Sequence, residues 1–164
     1  MKKILILNTG GTFNKIYDEI TGELIVPRHN NSLKKIIVKS KLSNIAIDGL
    51  IYKDSLNITK RDRQILLEYI NKSKIDNIII VHGTDTMDKT AQYLSGSIIN
   101  KQIILTGAMK PYSIEKTEAV SNLMAAYGYI QSNKKNGVYI SMHGLIKKHN
   151  KIKKNKTLGV FECL

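Results

Sequence analysis

The chain has 164 residues, 42% of them hydrophobic, and a single cysteine, Cys163. A chain of that length buries a real core unaided, so one domain over 1–164 is expected, and a lone cysteine excludes a disulfide framework. The formal net charge of +13, from 26 Lys and Arg against 13 Asp and Glu, attracts anionic partners over long range but carries no information about fold.

The opening "MKKILIL" places only four apolar residues ahead of Asn8, short of the roughly 7 to 15 that a signal sequence needs. No run approaches the roughly 18 apolar residues of a membrane span. A cytoplasmic protein without a membrane partner is expected. Five strand-sized apolar runs follow one another: "ILIL" at 4–7, "GLIY" at 49–52, "NIIIV" at 77–81, "QIILT" at 102–106 and "GVYIS" at 137–141. They lack polar alternation, as strands do when helices cover both faces of a parallel sheet.

Helix-like segments lie between them. "ITKRDRQILLEYINKS" opens on Thr59 and Asp62 in capping-box spacing and sets Ile65, Leu66, Tyr69 and Ile70 on one face. "MDKTAQYLSGSI" follows the third run, and "EKTEAVSNLMAAYGYI" carries Val120, Leu123, Met124 and Tyr127 at helical spacing. This alternation predicts a three-layer α/β/α domain with a mostly parallel sheet and right-handed crossovers.

In such sheets ligands bind beyond the carboxyl ends of the strands. Those ends carry "NTGGT", "KDSLN", "HGTDTMD", "TGAMKP" and "MHG", so hydroxyls, small residues and carboxylates meet on one rim. Gly10 and Gly11 let backbone amides approach a ligand closely. Neither phosphate-loop pattern fits "TGGT". His82, Asp85 and Asp88 show no ligand spacing, so no metal and no cofactor is expected. His143 reads as packed or hydrogen-bonded beneath the rim. Ser113, Glu115 and Glu118 read as a loop and helix start, where acidic groups favour the dipole. The basic run "KKHNKIKKNK" at 147–156 contains no aromatic residue, which gives weak support to a nucleic-acid platform.

"TGGT" at the first strand end together with "HGTDT" at the third resembles the L-asparaginase/glutaminase family, N-terminal catalytic domain. The resemblance extends through "TGAMKP", "SNLMAA" and "GVYISMHGLI". It implies that Thr12 is a mobile nucleophile and that Thr84 and Asp85 belong with a lysine. Lys154 is the best match for that lysine and Lys153 the alternative. The resemblance further places Ser55 on a substrate α-carboxylate, Tyr17 on a flexible loop, and the Ala108 carbonyl near a leaving amide nitrogen. Beside it stands a chemical requirement: a threonine hydroxyl needs an adjacent base. The turns holding Gly11 and Gly83 supply amide donors for the oxyanion of amide hydrolysis.

Members of that family are usually about twice this length, with a second α/β domain. The chain ends at "GVFECL", so the usual C-terminal domain is expected to be absent. The face it would cover then favours a homodimer or higher oligomer. The expected function is an amidohydrolase releasing ammonia from a small amide such as L-asparagine. The alternatives are a non-catalytic amino-acid-binding or assembly subunit and a partner in a tRNA-dependent amidotransferase.

Overall fold

A computed structural model describes residues 1–98 and 100–164. The chain begins with β1 (Ile4–Gly10), a short hairpin of β2 (Ile16–Asp18) and β3 (Glu23–Ile25), and helix α1 (Asn31–Lys39). It continues through β4 (Ile45–Lys53), α2 (Lys60–Lys72), β5 (Asn77–Val81), α3 (Met87–Ser95), β6 (Gln102–Thr106) and α4 (Thr117–Ser132). Strands β7 (Gly137–Met142), β8 (Leu145–Lys148), β9 (Ile152–Asn155) and β10 (Val160–Cys163) complete it.

One six-stranded sheet runs in the order β4-β1-β5-β6-β7-β8. Its first five strands are parallel and β8 is antiparallel to β7. Side chains alternate between two cores because successive residues of a strand face opposite ways. Leu5, Leu7, Ile78, Ile80, Ile103 and Leu105 pack with Leu66 and Ile70 of α2 and Ala91 and Leu94 of α3. Ile4, Ile6, Ile79, Val81 and Ile104 pack with Leu33 and Ile36 of α1 and Ala119, Leu123, Ala126 and Ile130 of α4. The chain leaves β1 for β4 on one side and then crosses back to β5 on the other. At that reversal the connections diverge and a crevice opens between the carboxyl ends of β1 and β5.

Three features depart from the sequence reading. Helix α1 was not anticipated: it buries only Leu33 and Ile36, and its lysines mask that narrow stripe. Of the strip Val120–Leu123–Met124–Tyr127 only Leu123 is fully buried, with Val120 and Tyr127 packing at the margin of the core; the buried face of α4 is Ala119, Asn122, Leu123, Ala126 and Ile130. Alanines let the helix approach the sheet closely, so small side chains rather than large apolar ones mark the contact. In α2 the capping box forms as expected, yet Ile65 is 38% exposed while Leu66 and Ile70 are buried.

Candidate active site

The turns after β1, β4 and β5 are drawn together by missing side chains. Gly11 has φ +75°, and a Cβ there would lie 2.4 Å from the Gly83 nitrogen; a Cβ on Gly83 would lie 2.6 Å from Ser55 Cβ. Only glycine at both positions permits these contacts. Thr9 Oγ1 donates to the Val81 carbonyl at 2.8 Å, tying the same two strand ends below the turns. The Gly11 amide donates to the Lys53 carbonyl at 2.9 Å. Gly11 therefore shapes the site by close approach, with its own N–H already engaged.

Thr12 follows directly, half-buried at the start of a single 3-10 turn. Three asparagines brace that turn. Asn14 Nδ2 donates to Asn8 Oδ1 and to the Gly10 carbonyl, both at 2.8 Å, and Asn8 Nδ2 donates to Asn30 Oδ1 at 2.9 Å. An unpaired buried polar group costs about 1–3 kcal/mol; the Nδ2 groups of Asn8 and Asn14 are paired, while Asn14 Oδ1 has no hydrogen-bond partner among the described residues.

Lys154 arrives from β9. Its Nζ donates to Thr84 Oγ1 at 2.9 Å and to Asp85 Oδ1 at 2.7 Å. Alternation along β9 separates it from Lys153, which is exposed and pairs in register with Glu162. Lys151 and Lys156 are exposed as well, so Lys154 alone of the basic run turns inward. The side chain of Lys154 is 13% exposed and that of Asp85 39%.

Ser55 is buried in the turn after β4, where its carbonyl accepts the Thr86 hydroxyl at 2.8 Å. The preceding Asp54 forms an ion pair with Lys15 at 2.8 Å. Burial would raise the Asp54 pKa. Lys15, the Leu56 amide and the field of Lys154 outweigh it and hold the carboxyl below the usual carboxylate range. Ala108 is fully buried beside Phe13 in one cluster. Its turn is held by Asn122 Nδ2 on the Gly107 carbonyl at 3.0 Å and by Glu118, which accepts the Met109 and Lys110 amides at 2.8 and 3.2 Å. Tyr17 stands apart, 61% exposed on β2, with its hydroxyl near Gly22 of its own hairpin.

His82 is fully buried behind the same turn. Its Nδ1 meets the Gly83 carbonyl at 2.7 Å and its Nε2 meets Thr90 Oγ1 at 2.9 Å, where Arg63 Nε also donates at 2.9 Å. Burial pushes its pKa down to about 4, with Arg63 adding to that against the Gly83 carbonyl. Neutral His82 is thus the Nδ1–H tautomer, and it fixes the carbonyl next to Thr84. Among the described residues no group of three or more His, Cys, Asp and Glu is placed to hold a metal.

The structure therefore gathers Gly11, Ser55, Gly83, Thr84, Asp85 and Lys154 at the switch point, with Thr12 at its edge. The Lys15–Asp54 pair and the asparagine brace were missed. Asn8, a polar residue closing an apolar run, was the one available signal for the brace.

The strand order and the hydroxyl–ammonium–carboxylate cluster define a doubly wound α/β domain whose chemistry-bearing residues collect where the topology reverses. A family model described as "Asparaginase, N-terminal" matches residues 3–161, and the chain belongs to the asparaginase family. The chain is 34% identical over 149 residues to a glutamyl-tRNA(Gln) amidotransferase subunit from Methanosphaera stadtmanae, covering 87% of this chain and 34% of that one. It is 30% identical over 121 residues to the glutaminase-asparaginase of Acinetobacter glutaminasificans, covering 70% and 37%. The thermostable L-asparaginase from Thermococcus kodakarensis superposes with a TM-score of 0.86 at 26% identity, over 99% of this chain and 51% of that one. The chain thus spans about a third of the two curated relatives and half of the solved structure.

Proposed function

We propose that residues 1–164 form a catalytic domain that releases ammonia from a small amide such as L-asparagine through an acyl-enzyme on Thr12. The observation that carries this reading is the double hydrogen bond of Lys154 to Thr84 and Asp85. With Lys154 as the neutral amine, Thr12 Oγ1 attacks the carboxamide carbon while its proton passes through the Thr84 hydroxyl to Lys154 Nζ, and the ammonium so formed gives that proton to the departing ammonia. Water then attacks the acyl-threonine, yielding the free carboxylate and regenerating the hydroxyl. Ser55 receives the substrate α-carboxylate, Asp85 its α-amino group and the Ala108 carbonyl the leaving amide. Gly83 and its turn offer amides to the oxyanion, and Tyr17 covers the site when its hairpin moves inward.

Ammonia release from asparagine and glutamine tests the reading. Thr12→Ala is expected to abolish turnover. Absence of release from every amide tried, or an undiminished Thr12→Ala rate, overturns it.

A second reading has the chain as a component that hands ammonia or a bound amino acid to a partner, favoured by the similarity to glutamyl-tRNA(Gln) amidotransferase subunits. Binding of tRNA that weakens steeply with salt supports that version. Calorimetric binding of aspartate without any hydrolysis supports a purely binding role. A cytoplasmic homodimer or higher oligomer accompanies the first reading, and sedimentation checks the oligomer. Among the described residues no helix is long and apolar enough to cross a membrane.

A further inference from the structure

His143 sits between β7 and β8 at φ +51°, a left-handed conformation uncommon outside Gly and found chiefly in Asn, Asp and His. Surroundings on three sides hold it there. Its amide donates to Asn122 Oδ1 at 2.9 Å, its Nε2 meets Glu118 Oε1 at 3.1 Å, and its Nδ1 accepts the Phe161 amide at 3.2 Å. An Nδ1 that accepts cannot carry a proton in the neutral ring, so Nε2 carries it and donates to Glu118. The imidazole also meets the Phe161 ring edge-on, with centroids 5.9 Å apart at 81°.

Phe161 stands opposite Lys154 in the β9–β10 register. Its amide faces His143 and not β9, which makes Phe161 and Lys154 a non-hydrogen-bonded pair. In such pairs the two side chains lie close together on one face. The buried Phe161 ring therefore flanks the stem of Lys154. Glu118, at the other end of the bridge, grips the Met109 and Lys110 amides beside Ala108.

We propose that His143 is a positioning residue for Lys154: its Nδ1, by accepting the Phe161 amide, seats β10 so that the Lys154 ammonium stays on Thr84 and Asp85, while its bond to Glu118 is dispensable for that role. This rests on the reading of Lys154 as the site lysine.

Two substitutions separate the halves of the bridge. His143→Asn retains an acceptor where Nδ1 stands, suits the left-handed backbone and gives up Glu118. His143→Gln retains a donor toward Glu118 and gives up the acceptor for Phe161. In each, the titration midpoint of Lys154 is read from its ε-carbon resonance in lysine-labelled 164-residue protein, and kcat and KM are read from ammonia release. His143→Asn is expected to keep the wild-type Lys154 titration and kcat within about twofold. His143→Gln is expected to displace that titration and lower kcat about tenfold with little change in KM.

Indistinguishable behaviour of the two variants, or a wild-type Lys154 titration in His143→Gln, overturns the proposal. Wild-type protein that releases no ammonia refutes the functional reading instead, and the titration then decides the positioning role by itself. If His143→Gln does not fold, amide exchange at Phe161 decides. Equal protection in wild type and His143→Asn supports the bridge, and free exchange in wild type, or loss of protection in His143→Asn, overturns it.

Discussion

One ammonium in this molecule serves a hydroxyl and a carboxylate at once, and stability and catalysis weigh that arrangement differently. Asp85 is 39% exposed, so solvent screens the pair and its net contribution to folding is at most about 1 kcal/mol. In the proposed function Lys154 also orders Thr84 and relays protons, a role worth roughly 10²-fold or more in rate. Lys154→Met is accordingly expected to lower kcat about 10²-fold or more while urea unfolding changes by no more than about 1 kcal/mol. A comparable fall in stability would make Lys154 a structural residue. His82 poses the opposite case, a buried group whose effect is thermodynamic. Its folded pKa, about 4, lies below the ordinary 6.5, so the unfolded chain binds the proton more readily. The stability it contributes is complete above pH 6.5 and is lost as pH falls toward 4, in total about 3 kcal/mol. His149, also held below its ordinary value by burial, adds loss of the same sign. Urea unfolding between pH 4 and 7 should therefore be flatter in His82→Gln by about that amount. Equal slopes would mean that His82 is protonated inside the fold.

At the scale of the element, α4 carries more of the site than its amphipathic pattern discloses. Asn122 donates from Nδ2 to the Gly107 carbonyl at 3.0 Å and accepts the His143 amide on Oδ1 at 2.9 Å, so one buried side chain sews the ends of β6 and β7 to the helix. Asn122→Leu fits a similar volume and leaves both backbone groups unpaired, at about 1–3 kcal/mol each. Denaturant unfolding should register a loss of about 2–6 kcal/mol, and a smaller loss would mean that water takes over the two bonds. The same residue explains why part of the element level stayed hidden in sequence. Short apolar runs disclosed β1, β5, β6 and β7, because burial on both faces leaves no alternation to misread, whereas the half-exposed edge strand β4 (Ile45–Lys53) was legible only over its second half. Thr59 and Asp62 disclosed the start of α2. The contact face of α4 was hidden because alanines and an asparagine, which score poorly as core, make the closest approach to the sheet. The β2–β3 hairpin was hidden because three residues per strand are too few to display a period. For the candidate site, "TGGT" and "HGTDT" marked two of the turns that meet at the switch point. The choice between Lys153 and Lys154 needed the register of β9, which adjacent lysines cannot express, and the glycine contacts from 11 to 83 and from 83 to Ser55 exist only in three dimensions.

For the whole molecule the governing quantity is the excess of positive charge over partners. Among the described residues only four lysines form ion pairs with carboxylates, at Asp54, Asp62, Asp76 and Asp85, against a net charge of +13. Self-repulsion on that scale opposes compaction, because unfolding spreads the charges apart. At about 0.01 M salt the screening length is about 30 Å, so lysines across the entire domain repel one another, whereas at 0.15 M it is about 8 Å and only neighbours do. Salt also weakens the four attractive pairs, but these are local, partly shielded and few, so relief of repulsion sets the sign. Thermal unfolding should shift upward over that range by about 2–4 °C, corresponding to a change on the order of 1 kcal/mol for a chain of this length. Asparagine carries no net charge near neutral pH, so nothing steers it over long range. Its kcat/KM should stay within about twofold across the same salt series. A midpoint that stayed level or fell would show the lysine field to be neutralised already, and a steep fall in the kcat/KM of asparagine would show that the lysine field steers even a net-neutral substrate through its carboxylate.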